Sequence, residues 1–128
     1  MSYLADIQAY LIAQAPATFT STNTFINFMP ASPAAAVCLY PYSGQGKLYN
    51  TDGDGVGRPG LQVRVRHQTP ETAWTWLSLV ESTLKGVQNT ALSGTAYLCI
   101  RPANTPSQVG WNNNSLTLMQ NFEVLRSE

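Results

Sequence analysis

The chain has 128 residues, of which 44% are hydrophobic and only 11% are charged, and this length fits a single domain spanning residues 1–128. Seven Lys and Arg balance seven Asp and Glu, so the chain has no net positive charge with which to bind free nucleic acid. The sequence has no basic leader and no run of about 20 apolar residues, so we expect cytoplasmic synthesis and no membrane partner.

The first predicted element is a helix over residues 3–14. Leu4, Ile7 and Leu11 share one helical face, and Ser2 is placed to cap the helix. This spacing predicts a short amphipathic helix whose apolar face packs on the core.

Strands are predicted on both sides of a glycine-rich segment. Residues 25–29 and 36–40 are aromatic and apolar runs bounded by prolines, and residues 61–67 alternate between apolar and polar side chains. Between them, residues 43–60 contain six glycines and few apolar side chains, so we expect a long surface loop there.

A second helix is predicted over residues 70–85. Thr69 is placed to cap it, Pro70 suits its first turn, and Gly86 is expected to end it in a left-handed conformation. Its apolar stripe faces the core, whereas Trp74 lies off that stripe.

Two further strands are predicted at residues 95–101 and 116–125, joined by a loop rich in Pro, Asn and Gly over residues 102–114. Because only one helix separates sequential strands, a doubly wound sheet is disfavoured. The sequence predicts the α+β class, with a mixed, mostly antiparallel sheet and two helices packed on one face.

Groups that could carry chemistry are scarce. Residues 50–55 resemble half of a calcium-binding EF-hand loop, but the second half of its ligands is missing. His67 is the single histidine, and Cys38 and Cys99 lie in apolar runs where a reduced thiol is inert. We therefore predict no catalytic residue, no metal site, no cofactor and no enzymatic activity.

The one basic cluster contains Arg58, Arg64 and Arg66, and the last two share a face of the strand at residues 61–67. A solvated polar face explains this pattern. Pairing with carboxylates of a neighbouring subunit explains it equally well, since guanidinium groups form forked hydrogen bonds with carboxylates.

A resemblance to a known family rests on residues 58–66, the helix at 70–85 and the strand at 94–101. Together with Tyr40-Pro41-Tyr42, these segments resemble the phage minor capsid and tail terminator family of long-tailed phages. The resemblance implies a structural virion protein at the tail or neck, made in the host cytoplasm. It further implies a ring of six identical copies that stops tail tube growth and joins the tail to the neck connector or a head-completion protein.

This resemblance also implies that residues 43–60 and 102–115 reach identical subunits, the tail tube protein or the connector. The candidate contact residues are Tyr42, Asp52, Asp54, Arg58, Arg64, Arg66 and Trp111. Two alternatives remain open. One is a head-completion or connector-stopper subunit, and the other, of a different class, is a small ligand- or metal-binding domain.

Overall fold

The computed structural model describes residues 3–49, 55–112 and 114–127, with residues 43–49, 55–56 and 112 described by their backbone alone. Within these residues the chain forms two helices and seven strands. In chain order the elements are α1 Tyr3–Gln14, β1 Thr24–Ile26, β2 Ala36–Tyr49, β3 Gly55–His67, α2 Pro70–Lys85, β4 Gln88–Leu92, β5 Thr95–Pro102, β6 Ser107–Asn112 and β7 Ser115–Ser127.

The strands form one sheet in the order β1-β2-β3-β7-β5-β4, and β6 also pairs with β7. Every pairing is antiparallel except the short parallel contact between β1 and β2. Strand β7 is central, because one edge pairs with β3 while the other pairs first with β6 and then with β5. The predicted mixed, mostly antiparallel sheet is confirmed.

Both helices pack on one face of this sheet, as predicted. The alternation in β3 puts Leu61, Val63 and Val65 on that face, where each is fully buried. Burial of each such side chain contributes about 1.5–3 kcal/mol. The same core contains Leu4, Ile7 and Leu11 of α1, Ala73, Leu77, Val80 and Leu84 of α2, Val37 and Leu39 of β2, and Leu116, Leu118, Phe122 and Val124 of β7.

The loop predicted over residues 43–60 is wrong, since most of that segment belongs to strands β2 and β3. Tyr42 pairs with Gly60 and Tyr49 pairs with Gly55, with irregularities in register between them. Backbone pairing in an antiparallel ladder does not depend on apolar side chains, and β-bulges accommodate the irregular register of this glycine-rich segment. The half EF-hand pattern at residues 50–55 falls almost wholly outside the described residues.

Two strands were not predicted at all. Strand β4 pairs with β5 across Ser93 and Gly94, which both have positive φ (51° and 84°), as in a tight two-residue hairpin. Strand β6 occupies part of the segment predicted as a loop over residues 102–114. Each is short and mostly polar, and each is held mainly by pairing with a neighbouring strand, although Leu92 of β4 also joins the core.

The helix ends also differ from the prediction in detail. Helix α2 has the predicted bounds, but Thr69 makes no side-chain capping bond and Gly86 has φ −73°, so its predicted left-handed conformation is wrong. Gly86 N–H instead donates to the Thr83 carbonyl at 3.1 Å, which ends the helix in a tight turn. Helix α1 has the predicted bounds, and its predicted cap Ser2 lies outside the described residues.

Strand β1 is shorter than predicted, because Asn27 takes a left-handed conformation with φ 65° directly after Ile26. The chain then crosses to β2 through residues 27–35. Within the described part of the chain, no helix is long and apolar enough to span a membrane.

Candidate assembly surfaces

The sheet face opposite the helices carries a polar patch formed by Tyr40, Gln62, Arg64, Met119 and Asn121, which we call the open sheet face. Tyr40, Gln62 and Asn121 are register partners across three strands, and Arg64 and Met119 are partners in the next row. Register partners in antiparallel strands point to the same face, which is opposite the buried Val63. No helix covers this patch in the described part of the chain.

Arg64 is oriented by its neighbours on the open sheet face. Its Nε donates to Gln62 Oε1 at 2.9 Å, and its guanidinium carbon lies 5.4 Å from the centre of the Tyr40 ring. Gln62 Nε2 in turn donates to Asn121 Oδ1 at 3.2 Å. The guanidinium is therefore held in place with donors still available, and no described carboxylate forms an ion pair with it.

Arg66 is engaged within the chain, although it shares a strand face with Arg64. Its Nη2 donates to the carbonyls of Pro30 and Pro33 at 2.6 and 2.5 Å, and its Nε donates to Ala34 at 3.2 Å. These three bonds fasten the connection between β1 and β2 over one end of the sheet. Three of its five N–H donor sites are thereby used internally.

The other predicted contact residues lie apart from Arg64. Tyr42 is exposed and lies in β2 opposite Gly60 of β3, while Arg58 is half-buried and pairs in register with Gln45. Asp52 and Asp54 lie outside the described residues. The structure thus brings Arg64 beside Tyr40, a residue the sequence did not single out as a contact.

Trp111 lies on strand β6, where it is 55% exposed and Val109 is 48% exposed. It pairs in register with Leu116, so it lies on the same sheet face as the helices. In the described residues β6 pairs only with β7, which leaves its second edge open. Natural edge strands are commonly protected by charged side chains, and β6 has none.

The outward side of α2 forms a further exposed surface, which we call the outer helix face. It contains Glu71, Trp74, Thr75 and Ser78, all exposed, at the spacing of one helical face. Trp74 is 40% exposed, which confirms that it lies off the buried stripe. Helical spacing in the sequence already places Trp74 one turn after Glu71, but neither residue was among the predicted contact residues.

The groups most suited to catalysis are occupied or buried, apart from the thiol of Cys99, which is half-buried. Cys38 and Cys99 are free thiols, and burial raises the pKa of the Cys38 thiol, which makes it a poor nucleophile. His67 Nδ1 accepts a hydrogen bond from Thr69 N–H at 3.0 Å, and its ring packs edge-on against Trp76. Among the described residues, no group of three or more His, Cys, Asp or Glu side chains could hold a metal ion.

Comparison with known proteins gives both a fold and a family. A chain in the virion of a native gene transfer agent particle is 14% identical and superposes with a TM-score of 0.66, covering 99% of this chain and 100% of that chain. A second solved structure, whose name describes no function, is 14% identical with a TM-score of 0.60, covering 97% of this chain and 92% of its own. At this identity the likeness shows the fold alone. The search of curated proteins found no match.

The model of the family described as "Bacteriophage tail terminator protein" matches residues 7–122. That range begins at the second turn of α1 and ends within β7, and so includes most of α1, all of α2 and the open sheet face. Because the match covers far more than half of the chain, this protein belongs to the bacteriophage tail terminator family and is a structural protein of the phage tail.

Proposed function

We propose that this protein forms a closed ring of six identical copies at the head-proximal end of the tail. There the ring stops polymerisation of the tail tube and joins the tail to the neck connector or a head-completion protein. The observation that carries this proposal is the match of the tail terminator family over residues 7–122. As a component of the virion, the protein is made in the host cytoplasm before it joins the particle.

The charge distribution supports a protein that is covered by partners. Between Gly86 and Phe122 the chain has a single charged residue, Arg101. This stretch includes strands β4 and β6, which each have an edge left unpaired by the described residues. Cores of protein interfaces are depleted in charge and enriched in aromatic residues, and Trp111 lies exposed in this stretch.

The state of the reactive groups supports assembly over catalysis. His67 accepts a hydrogen bond from the backbone and the Cys38 thiol is buried, so neither is free to act on a substrate. The proposed role requires neither cofactor nor metal, because ring formation and tube capping depend on surface complementarity.

Mass photometry of the purified protein, alone and mixed with the tail tube protein of the same phage, tests the proposal. We expect a discrete oligomer of six copies, seen as a ring by negative-stain electron microscopy, bound to one end of the tubes. Tubes assembled with the protein should be capped and should stop growing. A strict monomer that leaves tube growth unchanged contradicts the proposal, and a ring found only at the head portal favours a connector-stopper role.

A further inference from the structure

The described carboxylates fall into two groups according to their contacts. Asp6 accepts a hydrogen bond from Tyr97, Glu81 contacts Gln120 and Lys85, and Glu123 pairs with Arg101 at 3.0 Å. The carboxylate of Glu71 makes no hydrogen bond or ion pair with any described residue. It lies exposed in the first turn of α2, on the outer helix face.

Arg64 is the corresponding cation on the opposite layer of the molecule. It is held by Gln62 and Tyr40 on the open sheet face, without a carboxylate among the described residues. Arg66, the nearest arginine in the same strand, binds backbone carbonyls instead. The fold therefore presents an unpaired carboxylate on its helix layer and an oriented guanidinium on the open sheet face, where Tyr40, Gln62, Arg64 and Met119 are half-buried and Asn121 is buried.

Each of these charges also has an apolar neighbour. Glu71 lies one helical turn from the exposed Trp74, and Arg64 lies between Tyr40 and its register partner Met119. Aromatic residues, Met and Arg are enriched at protein interfaces, and each surface has an aromatic side chain beside its charge. The two surfaces are complementary in charge, and both have apolar groups to bury.

We propose that the outer helix face of one copy packs on the open sheet face of the next copy, with Glu71 pairing with Arg64. Trp74 then packs against Tyr40 and Met119. This inference rests on the proposed ring and names the surfaces that build it. Because the helices and the open sheet face lie on opposite layers, the contact is head-to-tail, and a head-to-tail contact generates a ring when its rotation closes.

A second copy is the occupant that the charges favour. Both members of the pair, Arg64 and Glu71, belong to the same chain, so every copy in a closed ring supplies one of each. The chain as a whole has equal numbers of basic and acidic residues, so it needs no partner of opposite net charge. Arg is also the cation best suited to a carboxylate at an interface, because its planar fork can donate two parallel hydrogen bonds. The Gln62 and Tyr40 contacts fix this fork before the copies meet, which lowers the entropic cost of association.

Charge reversal tests this pairing in full-length protein, in the presence of the tail tube protein. Arg64→Glu and Glu71→Arg should each weaken association by at least about tenfold, because each places like charges across the contact. The double variant should regain ring formation. Circular dichroism and thermal melts of each variant test whether the single variants remain folded, as we expect.

Mixing the two single variants gives the sharpest result. In an alternating ring, native Arg64 of one variant meets native Glu71 of the other, and the reversed pair forms at the next contact, so rings should form from two proteins that fail alone. If wild-type rings form and the single reversals form them equally well, the pairing is wrong while the proposed function stands. If the single variants fail and neither the mixture nor the double variant recovers, the pairing is also wrong. Absence of wild-type rings overturns the proposed function and this inference together.

Discussion

Asp6 is a buried carboxylate on the core-facing side of α1, and a tyrosine hydroxyl group donates a hydrogen bond to one of its two oxygens. Tyr97 Oη donates to Asp6 Oδ2 at 2.7 Å, while Asp6 Oδ1 has no hydrogen-bond partner among the described residues. A buried carboxylate without a donor is costly, whereas a bond to a charged group contributes about 1.5–3 kcal/mol. This single bond therefore ties α1 to strand β5 across 91 residues of sequence.

We predict that Tyr97→Phe lowers the free energy of unfolding by about 1–3 kcal/mol, because Asp6 loses its donor. Urea denaturation followed by tryptophan fluorescence measures the change. Tyr10→Phe is the matched control, since Tyr10 lies on the same helix, is half-buried, and makes no hydrogen bond through its hydroxyl in the described part of the chain. An equal loss in both variants would show that the Asp6 contact contributes nothing specific.

The pH dependence of the same pair provides a second readout. Burial, together with the hydrogen bond to Asp6, raises the pKa of Tyr97 to about 12 from its usual value of 10.0. A group whose pKa is raised by folding stabilises the protein fully below its unfolded pKa and loses that contribution as pH rises through the folded value. The free energy of unfolding should therefore fall from pH 10 to about 12, with a smaller slope in Tyr97→Phe than in the wild type.

At the scale of elements, the connection between β1 and β2 depends on Arg66. Its guanidinium binds the carbonyls of Pro30, Pro33 and Ala34, so a segment without secondary structure is held to strand β3. The segment presents Phe28, which is 70% exposed. Arg66, which the sequence analysis predicted as an intersubunit contact, thus forms hydrogen bonds within the chain that hold an exposed segment in place.

We predict that Arg66→Lys loosens this connection while the rest of the sheet stays intact. A lysine cannot present donors in a planar fork to three carbonyls, so the segment loses at least one of its bonds. Amide hydrogen exchange should become at least about tenfold faster at Asn27 and Val37, whose N–H groups donate to Leu39 and Asn23 at the two ends of this connection. Arg64→Lys is the control and should leave exchange at these amides unchanged.

The hairpin of β2 and β3 depends on a close approach at Gly60. A Cβ atom there would lie 2.4 Å from the Tyr42 carbonyl oxygen, so any larger residue requires the backbone of β2 to move. Gly94, in contrast, has φ +84° and open space around it. Alanine at Gly94 meets only the cost of a left-handed conformation, about 1–2 kcal/mol.

We predict that Gly60→Ala lowers the free energy of unfolding at least twice as much as Gly94→Ala. The clash at Gly60 strains two strands and also displaces the Gly60 carbonyl that accepts a hydrogen bond from Tyr3 at 2.6 Å. Urea denaturation of the two variants side by side provides the comparison. Equal losses would mean that β2 yields easily at this position.

These elements also show what the sequence could predict. Apolar periodicity predicted both helices with their bounds and the buried half of β3, because burial and spacing are local properties of the chain. It did not predict β4, β6 or the glycine-rich end of the β2–β3 hairpin, because these segments lack a clear apolar alternation. Each is held largely by backbone pairing with the next or preceding strand of the chain. For the candidate site, the strand pattern identified Arg64 and Arg66 as equivalent contact residues. It could not show that Arg66 is engaged inside the chain, because the carbonyls it binds lie more than 30 residues away in the sequence.

At the scale of the whole molecule, charge is distributed unevenly along the chain. Residues 86–122 contain one charged side chain, and they build β4, β5, β6 and the first part of the central strand β7. The opposite side carries the arginines of β3. If the outer helix face and the open sheet face join neighbouring copies, the neutral side remains for a different partner, and its exposed strand edge suits backbone pairing with that partner.

We predict that Val109→Lys leaves the fold intact but weakens binding to the tail tube protein or the connector. Val109 is 48% exposed, so its replacement should change the free energy of unfolding by no more than about 0.5 kcal/mol. A lysine on β6 protects the open edge in the way natural edge strands are protected, and it must lose hydration if a partner covers it. Gln88→Lys adds the same charge to exposed strand β4 and should bind normally if β6 is the contact. Co-sedimentation with assembled tubes and with purified connector measures both variants; unchanged binding of Val109→Lys to each partner would show that this edge stays in solvent in the particle.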